Sequence, residues 1–382
     1  MNILVVCHYG LYEDLSFSFV HAQAKAYVSL GHRVKVLVPI AIAKPDWTGS
    51  RWKSHSFVDG QVDIIPVRFL SLSSYGEKHF NTSSAIASLK LQMSAALGDF
   101  QPDIIHAHTL GFDSEIGKWL KRKFGIPLVV TTHGSDCSIP YERGNLDFLY
   151  SCCDGVDHVV SVSSVLGKKL RSCGTNTPIT AILNGYAAQN CSNTGEKKRL
   201  SFLQVGHLQA QKRPAITIEA FAKIHSAYPD AKLTMIGEGP ERKKLETLCK
   251  ELGICNSVRF TGQISNQEVL SEMAQTQFFV MPSVREGLGI VYLEAMASGC
   301  ITIGTEGEGI TDVITSGKNG FLVPPDNSDA IVHLIKWCIE HPKEANLIAT
   351  CGRIKAKSLT WESNGSQYIV LFQQLLEGGV FK

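Results

Sequence analysis

Along the whole chain, short runs of apolar residues alternate with stretches in which apolar residues return every third or fourth position. In the first half "NILVV", "RVKVLV", "DIIHAH", "PLVVTTH" and "HVVSVS" are too short for helices and too evenly apolar for strands with one wet face. They predict parallel strands covered on both sides. The spacing between them predicts helices over Phe19–Leu30 and Glu115–Phe124. The rhythm then repeats with "LSFLQVG", "KLTMIG", "SVRFTG", "FFVMPS" and "CITIG", separated by helices near 214–227, 240–252, 266–275 and 290–299. This alternation, twice over, predicts an α/β fold of two Rossmann-like domains whose parallel sheets face each other across a cleft. The polar, unpatterned "LNGYAAQNCSNTGEKKRL" (183–200) has the composition of a linker, so the domains are expected at 1–188 and 189–362. From near Ser363 a last helix carries Tyr368, Leu371, Phe372 and Leu375 at apolar spacing. Such a helix has a surface to cover, and segment 363–382 is expected to complete the first domain.

Composition narrows the class. With 382 residues, 44% of them hydrophobic, the chain has material for two cores rather than one. Thirty-seven Lys and Arg against 35 Asp and Glu leave a net charge of +2, which argues against nucleic acid as a partner. "MNILVVCHYG" lacks a basic leader with a small-residue cleavage site and suits a first strand instead, and no apolar run reaches the roughly 18 residues of a membrane span. The 11 cysteines, an odd number without C-x-x-C spacing, predict reduced thiols in a cytoplasmic protein.

The chemistry gathers at strand ends, where ligands bind in such folds. In "REGLGIVYLEAMASGC" (285–300), Glu294 sits among Ile290, Val291, Leu293, Ala295, Met296 and Ala297, which leave little polar face around it. A carboxylate placed there needs a protein partner or a ligand. Glu286 lies on the loop entering that helix, where Gly287 and Gly289 let the backbone approach a bound molecule. The amides of Leu288, Gly289 and Ile290 would open the helix, a ready phosphate site. Hydroxyl acceptors on either side of a phosphate site point to a nucleotide sugar. In "QVGHLQAQKRP" (204–214), Lys212 and Arg213 crowd the start of a helix at Pro214, where an anionic ligand would compensate them. His133, in "VVTTHGSD", ends a strand before a turn, with Asp136 three residues on, and could bond a sugar hydroxyl or the incoming nucleophile. A lone strand-end histidine is otherwise structural. His106 and His108 share one strand face, yet no carboxylate or cysteine completes a metal site, so His106 is read as core and His108 as facing the cleft. "GEGP" (237–240) fails as a dinucleotide fingerprint because Arg242 stands where the third glycine belongs, which argues against a dehydrogenase.

With these residues in place, the chain resembles the retaining glycosyltransferases of family 4, which have the GT-B fold. The likeness rests on the E-x7-E element Glu286 to Glu294, with "GHRVKVLVP" (31–39), "PDIIHAH" (102–108), "VVTTHGSD" (129–136), "ILNGY" (182–186), "VGHLQAQKRP" (205–214), "MIGEGPERKKLE" (235–246), "VRFTGQIS" (258–265) and "GKNGFLVPPDN" (317–327) in order. The resemblance implies that Glu286 holds donor-sugar hydroxyls and Glu294 the ribose. It implies that Lys212, with Arg213, Gly206, His207 and Glu238, serves the diphosphate side of the donor, and that the backbone at Gln263 and Ile264 meets the nucleobase. His133, with His108 and Asp136, would serve the donor sugar and acceptor side, and no metal or cofactor is needed. Three departures stand out: Gly10 alone remains of the usual Gly-Gly in the first loop, His207 replaces an arginine, and "GEGITD" (307–312) replaces Gly-Gly-x-x-Glu, with Asp312 nearest to its acid. The implied reaction moves a sugar, a UDP-sugar first, to a hydroxyl of a growing polyprenyl-linked surface glycan. "KWLKRK" (118–123) would offer a peripheral contact with the cytoplasmic membrane face. The competing readings are an epimerase of the UDP-N-acetylglucosamine 2-epimerase type and a catalytically silent subunit.

Overall fold

The computed structural model describes residues 1–7, 18–42, 57–59, 61–71, 78–188 and 197–378. It divides into two compact units, Met1–Asn184 with Trp361–Lys382, and Gly185–Thr360.

The first unit holds an eight-stranded sheet of β1 (Asn2–Val6), β2 (Arg33–Ile42), β3 (Phe57–Asp59), β4 (Val62–Leu70), β5 (Ile104–His108), β6 (Leu128–Thr132), β7 (His158–Ser161) and β8 (Ile179–Ala181). Their order is β3-β4-β2-β1-β5-β6-β7-β8. All neighbours are parallel except β3 and β4. Every residue of β5 and β6 is buried, as expected of strands covered on both faces. Between the strands run α1 (Ser18–Ser29), α2 (Lys78–Leu97), α3 (Phe112–Phe124), α4 (Ser135–Glu142), α5 (Leu146–Cys153) and α6 (Ser164–Arg171). Helix α3 shows why the chain turns where it does. Asp113 and Glu115 sit in its first turn, Lys121, Arg122 and Lys123 in its last, and Gly125 closes it in the left-handed conformation with its N–H on the Lys121 carbonyl.

The second unit is a six-stranded parallel sheet of β9 (Lys198–Val205), β10 (Lys232–Ile236), β11 (Val258–Gly262), β12 (Thr276–Val280), β13 (Ile301–Thr305) and β14 (Phe321–Val323), in the doubly wound order β11-β10-β9-β12-β13-β14. Its helices are α7 (Pro214–Ala227), α8 (Arg242–Glu251), α9 (Asn266–Gln275), α10 (Ile290–Ala297), α11 (Ser328–Glu340) and α12 (Pro342–Lys357). Pro214 at the first position of α7 fixes its start. A capping box between Ser265 and Glu268 does the same for α9. Its core gathers Phe202, Phe221, Leu233, Phe278, Ile303 and Ile331, all buried.

The last helix, α13 (Trp361–Glu377), returns to the first unit. Gly365 lets it approach Ala26 of α1, since a Cβ there would sit 3.1 Å from that of Ala26. Asn364 accepts a hydrogen bond from Gln23 and donates to the Leu183 carbonyl. Tyr368 and Phe372 pack against Tyr27 in the core.

Two of the four cations of "KWLKRK" are engaged within the unit. Lys118 is buried on Glu115 and the Ser151 carbonyl, and Lys121 pairs with Asp157 at 2.7 Å. Arg122 and Lys123 are exposed, with Lys123 over the Trp119 ring. No described helix is long and apolar enough to cross a membrane, and the ten described cysteines are free thiols.

Candidate active site

In the second unit three loops leave the C-terminal ends of β9, β12 and β13. The first runs through a short 3-10 turn, Ala210–Lys212. Lys212 folds its stem back against Gly206, where a Cβ would lie 3.7 Å from Lys212 Cε. The second loop, 281–289, is stitched to it by the Val284 N–H on the Gln211 carbonyl at 2.8 Å. Lys212 Nζ thereby meets Glu286 Oε2, to which Ser283 Oγ also donates at 3.0 Å. These two charged side chains, 74 residues apart in sequence, are only 17% and 16% exposed. Each neutralises the other in this state. Arg285, just before the carboxylate, has φ 60°, a left-handed conformation that is strained for a side chain of its size.

The third loop, 306–312, lies on the second. Glu308 Oε2 accepts the Glu286 backbone N–H at 2.9 Å. A Cβ on Gly309 would come 1.7 Å from the Gly287 carbonyl oxygen, so only glycine allows the two backbones to touch. Gly309→Ala is therefore expected to cost about 3 kcal/mol through forced separation of the loops. Gly307→Ala has open space and meets only the left-handed penalty of about 1–2 kcal/mol. Urea unfolding of the two variants checks the difference; equal midpoints would show that the loops do not depend on this contact.

Helix α10 starts at Ile290 after Gly289, and Leu288 is buried beneath it. The N–H groups of Ile290 and Val291 have no intrahelical acceptor, as at any helix start, while that of Tyr292 reaches the Gly289 carbonyl at 3.0 Å. Tyr292 packs its ring under Gly289 and donates its hydroxyl to the Met281 carbonyl. Burial, then the Glu286 and Glu308 carboxylates, push its phenol well up. Glu294 lies one turn after Ile290. Burial raises its pKa, and a hydrogen bond from the Asn266 side chain opposes the rise. Asn266 opens α9 after Gln263, Ile264 and the capping Ser265, so the segment leaving β11 reaches the buried carboxylate. Gln263 is exposed, and Ile264 lines a groove of about 380 Å³ with Arg259, Phe260, Thr261, Glu268 and Glu272.

Other candidates of this unit are engaged elsewhere. Glu238 pairs with Arg242 at 2.6 Å, and Gly237 packs so tightly on the Gly206 carbonyl that a Cβ would come within 2.1 Å of it. Arg213, at φ 48°, is held by Asp326 at 2.6 Å rather than by Glu286. His207 is exposed.

In the first unit β5 and β6 deliver His106, His108 and His133 side by side. His106 is fully buried between the Tyr27 hydroxyl at 3.2 Å and the Thr131 hydroxyl at 2.8 Å. His108 Nδ1 lies 2.9 Å from His133 Nε2. Burial, then neighbouring His133, pushes His106 down to about 3. Burial likewise takes His133 down to about 4 against the opposing pull of Asp136, and His108 lies well below its ordinary value. All three rings are neutral at pH 7. Asp136 accepts three backbone N–H groups, from Leu110, His133 and Gly134, and so clamps the turn on which His133 sits.

The sequence pointed to Lys212, Glu286, Glu294, His108 and His133, and the structure adds Ser283, Glu308 and Asn266. Ser283 carried one signal, a hydroxyl three residues before Glu286; Asn266 carried only its place after a capping serine. Glu308 carried none beyond its place in the departure "GEGITD". Gly10 lies outside the described residues. Among the described residues, no group of three His, Cys, Asp or Glu side chains is arranged to hold a metal ion.

Residues 190–354 match the family model described as glycosyl transferases group 1, and residues 18–189 that described as glycosyltransferase family 4. An uncharacterized glycosyltransferase of Methanocaldococcus jannaschii is 29% identical over 262 residues, spanning 68% of this chain and 72% of that protein. Among solved structures, the sucrose-phosphate synthase from Thermosynechococcus elongatus superposes with a TM-score of 0.80 at 19% identity, covering 99% of this chain and 100% of that one. HepE of Anabaena, solved in complex with UDP and glucose, gives 0.74 at 18% identity, covering 98% and 100%. At these identities the structural likeness speaks for the fold.

Proposed function

The chain belongs to the family-4 glycosyltransferases and has the GT-B fold, and from that premise we propose that it moves a sugar from a nucleotide sugar to a hydroxyl of a growing glycan. The observation that supports this most directly is the meeting of Lys212, Ser283 and Glu286 beside the start of α10. One cation suits a diphosphate, one carboxylate suits sugar hydroxyls, and a helix start adds amides for phosphate.

In the proposed reaction Lys212 exchanges Glu286 for the diphosphate and stabilises the charge that develops as it departs. Glu286 then accepts hydrogen bonds from donor-sugar hydroxyls, and Glu294 with Asn266 holds the ribose. The bond from the anomeric carbon to the phosphate oxygen breaks, and the acceptor oxygen bonds on the same face. The acceptor proton passes to the departing phosphate, so configuration is retained and no metal is required. His133 orients the donor sugar or acceptor. The likeness to HepE supports a UDP-sugar as the first donor to test. The acceptor proposed is a lipid-linked glycan, with exposed Arg122 and Lys123 beside Trp119 as the contact with an anionic surface.

Melting temperatures with UDP-glucose, UDP-N-acetylglucosamine, GDP-mannose, ADP-glucose, dTDP-glucose and NAD, each with and without EDTA, test the donor. At a hundred times Kd, a ligand of the folded state adds about 2.7 kcal/mol, a rise of several degrees. A rise with one UDP-sugar, unchanged by EDTA, is the expected result. A rise with NAD alone, or with none of them, overturns the reading; sugar released without an acceptor would favour the epimerase.

A further inference from the structure

We infer that His108 is a positioning residue for His133: its Nδ1 hydrogen-bonds His133 Nε2 and fixes that ring in a single tautomer, leaving His133 Nδ1 as the one ring nitrogen offered to a ligand. The inference rests on the proposed role of His133 and adds the device that prepares it.

The geometry is specific. The two nitrogens are 2.9 Å apart, the ring planes lie 16° from parallel and the centroids are 5.2 Å apart, so the rings meet edge to edge with the bond in the plane of both. Between two imidazoles such a bond needs one N–H and one bare ring nitrogen, so the two rings cannot both be charged, and with both neutral the tautomer of one dictates that of the other. His108 cannot turn away. It is 1% exposed and packed against His106, with centroids 4.2 Å apart, and His106 is itself fixed between the Tyr27 and Thr131 hydroxyls. The His133 backbone is equally constrained, because its N–H and that of Gly134 both go to Asp136.

Against all this satisfied polarity, His133 Nδ1 is buried and has no partner among the described residues. A buried nitrogen left unpaired beside so complete a network is where a hydroxyl of a bound sugar or acceptor would complete the set. Phe19 packs on the ring at 4.5 Å between centroids, so the in-plane direction is the one open to hydrogen bonding. A free histidine in water populates both tautomers. One held by His108 presents Nδ1 in one state at all times, which removes a reorganisation step from each turnover.

The test compares His108→Phe, which keeps a packed ring without the bond, with His108→Asn, whose amide can stand at the position of Nδ1. Nitrogen-15 spectra of histidine-labelled protein, with His133 assigned by its absence from His133→Ala, read the tautomer in the ligand-free enzyme. Transfer rates use the nucleotide sugar that raises the melting temperature most. The wild type is expected to show His133 as one tautomer and His108→Phe as a mixture, with kcat down about 10- to 100-fold and donor KM changed far less. His108→Asn is expected to recover most of the rate. An unchanged His133 spectrum in His108→Phe overturns the inference, as does a mixture in the wild type. If His108→Phe does not fold, His108→Asn decides: a single tautomer supports the assignment and a mixture ends it. Full transfer by His133→Ala would refute the role of His133 in the reaction while leaving the tautomer result to stand or fall by itself.

Discussion

Glu286→Gln is expected to lower the transfer rate about 10³-fold, the scale of removing one fixed electrostatic contact from a reacting centre, while the protein still folds. The substitution keeps the shape of the side chain and an oxygen for the Ser283 hydroxyl, so the turn after Arg285 retains its contact. It removes the charge opposite Lys212. That ammonium is 17% exposed, enough for water to reach it, so stability should fall by about 1 kcal/mol rather than by the several that an unpaired charge in a dry core would cost. Lys212→Ala should separate the two roles. It frees Glu286 from its pair and, in the proposed reaction, strips the diphosphate of its cation, so the donor melting shift shrinks along with the rate. In Glu286→Gln the donor shift should survive, because the diphosphate contact survives. Wild-type turnover in Glu286→Gln, measured as nucleoside diphosphate released with acceptor present, would remove this carboxylate from the mechanism.

Most of the strands were legible because burial on both faces writes itself as an uninterrupted apolar run, as in "IIHAH" and "LVVTT". Strand β4 was not, since Pro66 breaks its pattern. Its partner β3 pairs only as far as Ile64, so from Pro66 onward β4 bonds β2 alone and the missing N–H is tolerated. Helices α4 to α6 were hidden by their length, eight residues each, which shows barely two turns of periodicity. The site divides in the same way. Glu286 and Glu294 are conspicuous because a carboxylate in an apolar run contradicts its surroundings. Asn266 and Glu308 sit in polar loops where nothing contradicts them, and only the folded chain shows whom they touch. Asp136 is instructive in the opposite sense. An acid three residues past a strand-end histidine looked like a group for substrate, yet three backbone amides occupy it, the ordinary work of an aspartate in a turn.

The row of neutral histidines should make the first unit the acid-labile half of the molecule. His106 titrates at about 3 and His133 at about 4, with His108 also depressed, against 6.5 for a histidine in the unfolded chain. Above pH 6.5 neither state is protonated and the full stability is present. As pH falls below 6.5 the unfolded chain binds protons that the folded chain refuses, and each histidine withdraws about 1.4 kcal/mol per pH unit until its folded value is reached. One such group costs about 3 kcal/mol by pH 4, His106 and His133 together about twice that, and His108 adds in the same direction, against the roughly 5–15 kcal/mol of an ordinary domain. The groups facing these rings do not reverse the sign: Tyr27, Thr131 and Tyr368 are uncharged, and Asp136, the one carboxylate acting on His133, already opposes the depression without overcoming it. Unfolding by urea should therefore weaken steeply between about pH 6.5 and about pH 4, with amide protection lost first across 104–133. His106→Gln, which can still bond the Thr131 hydroxyl, should flatten that slope by one proton. A stability constant over this range, or earlier loss of protection in β9 to β13, would mean that these rings are already charged in the folded chain, and with that the in-plane bond between His108 and His133 would lose its acceptor.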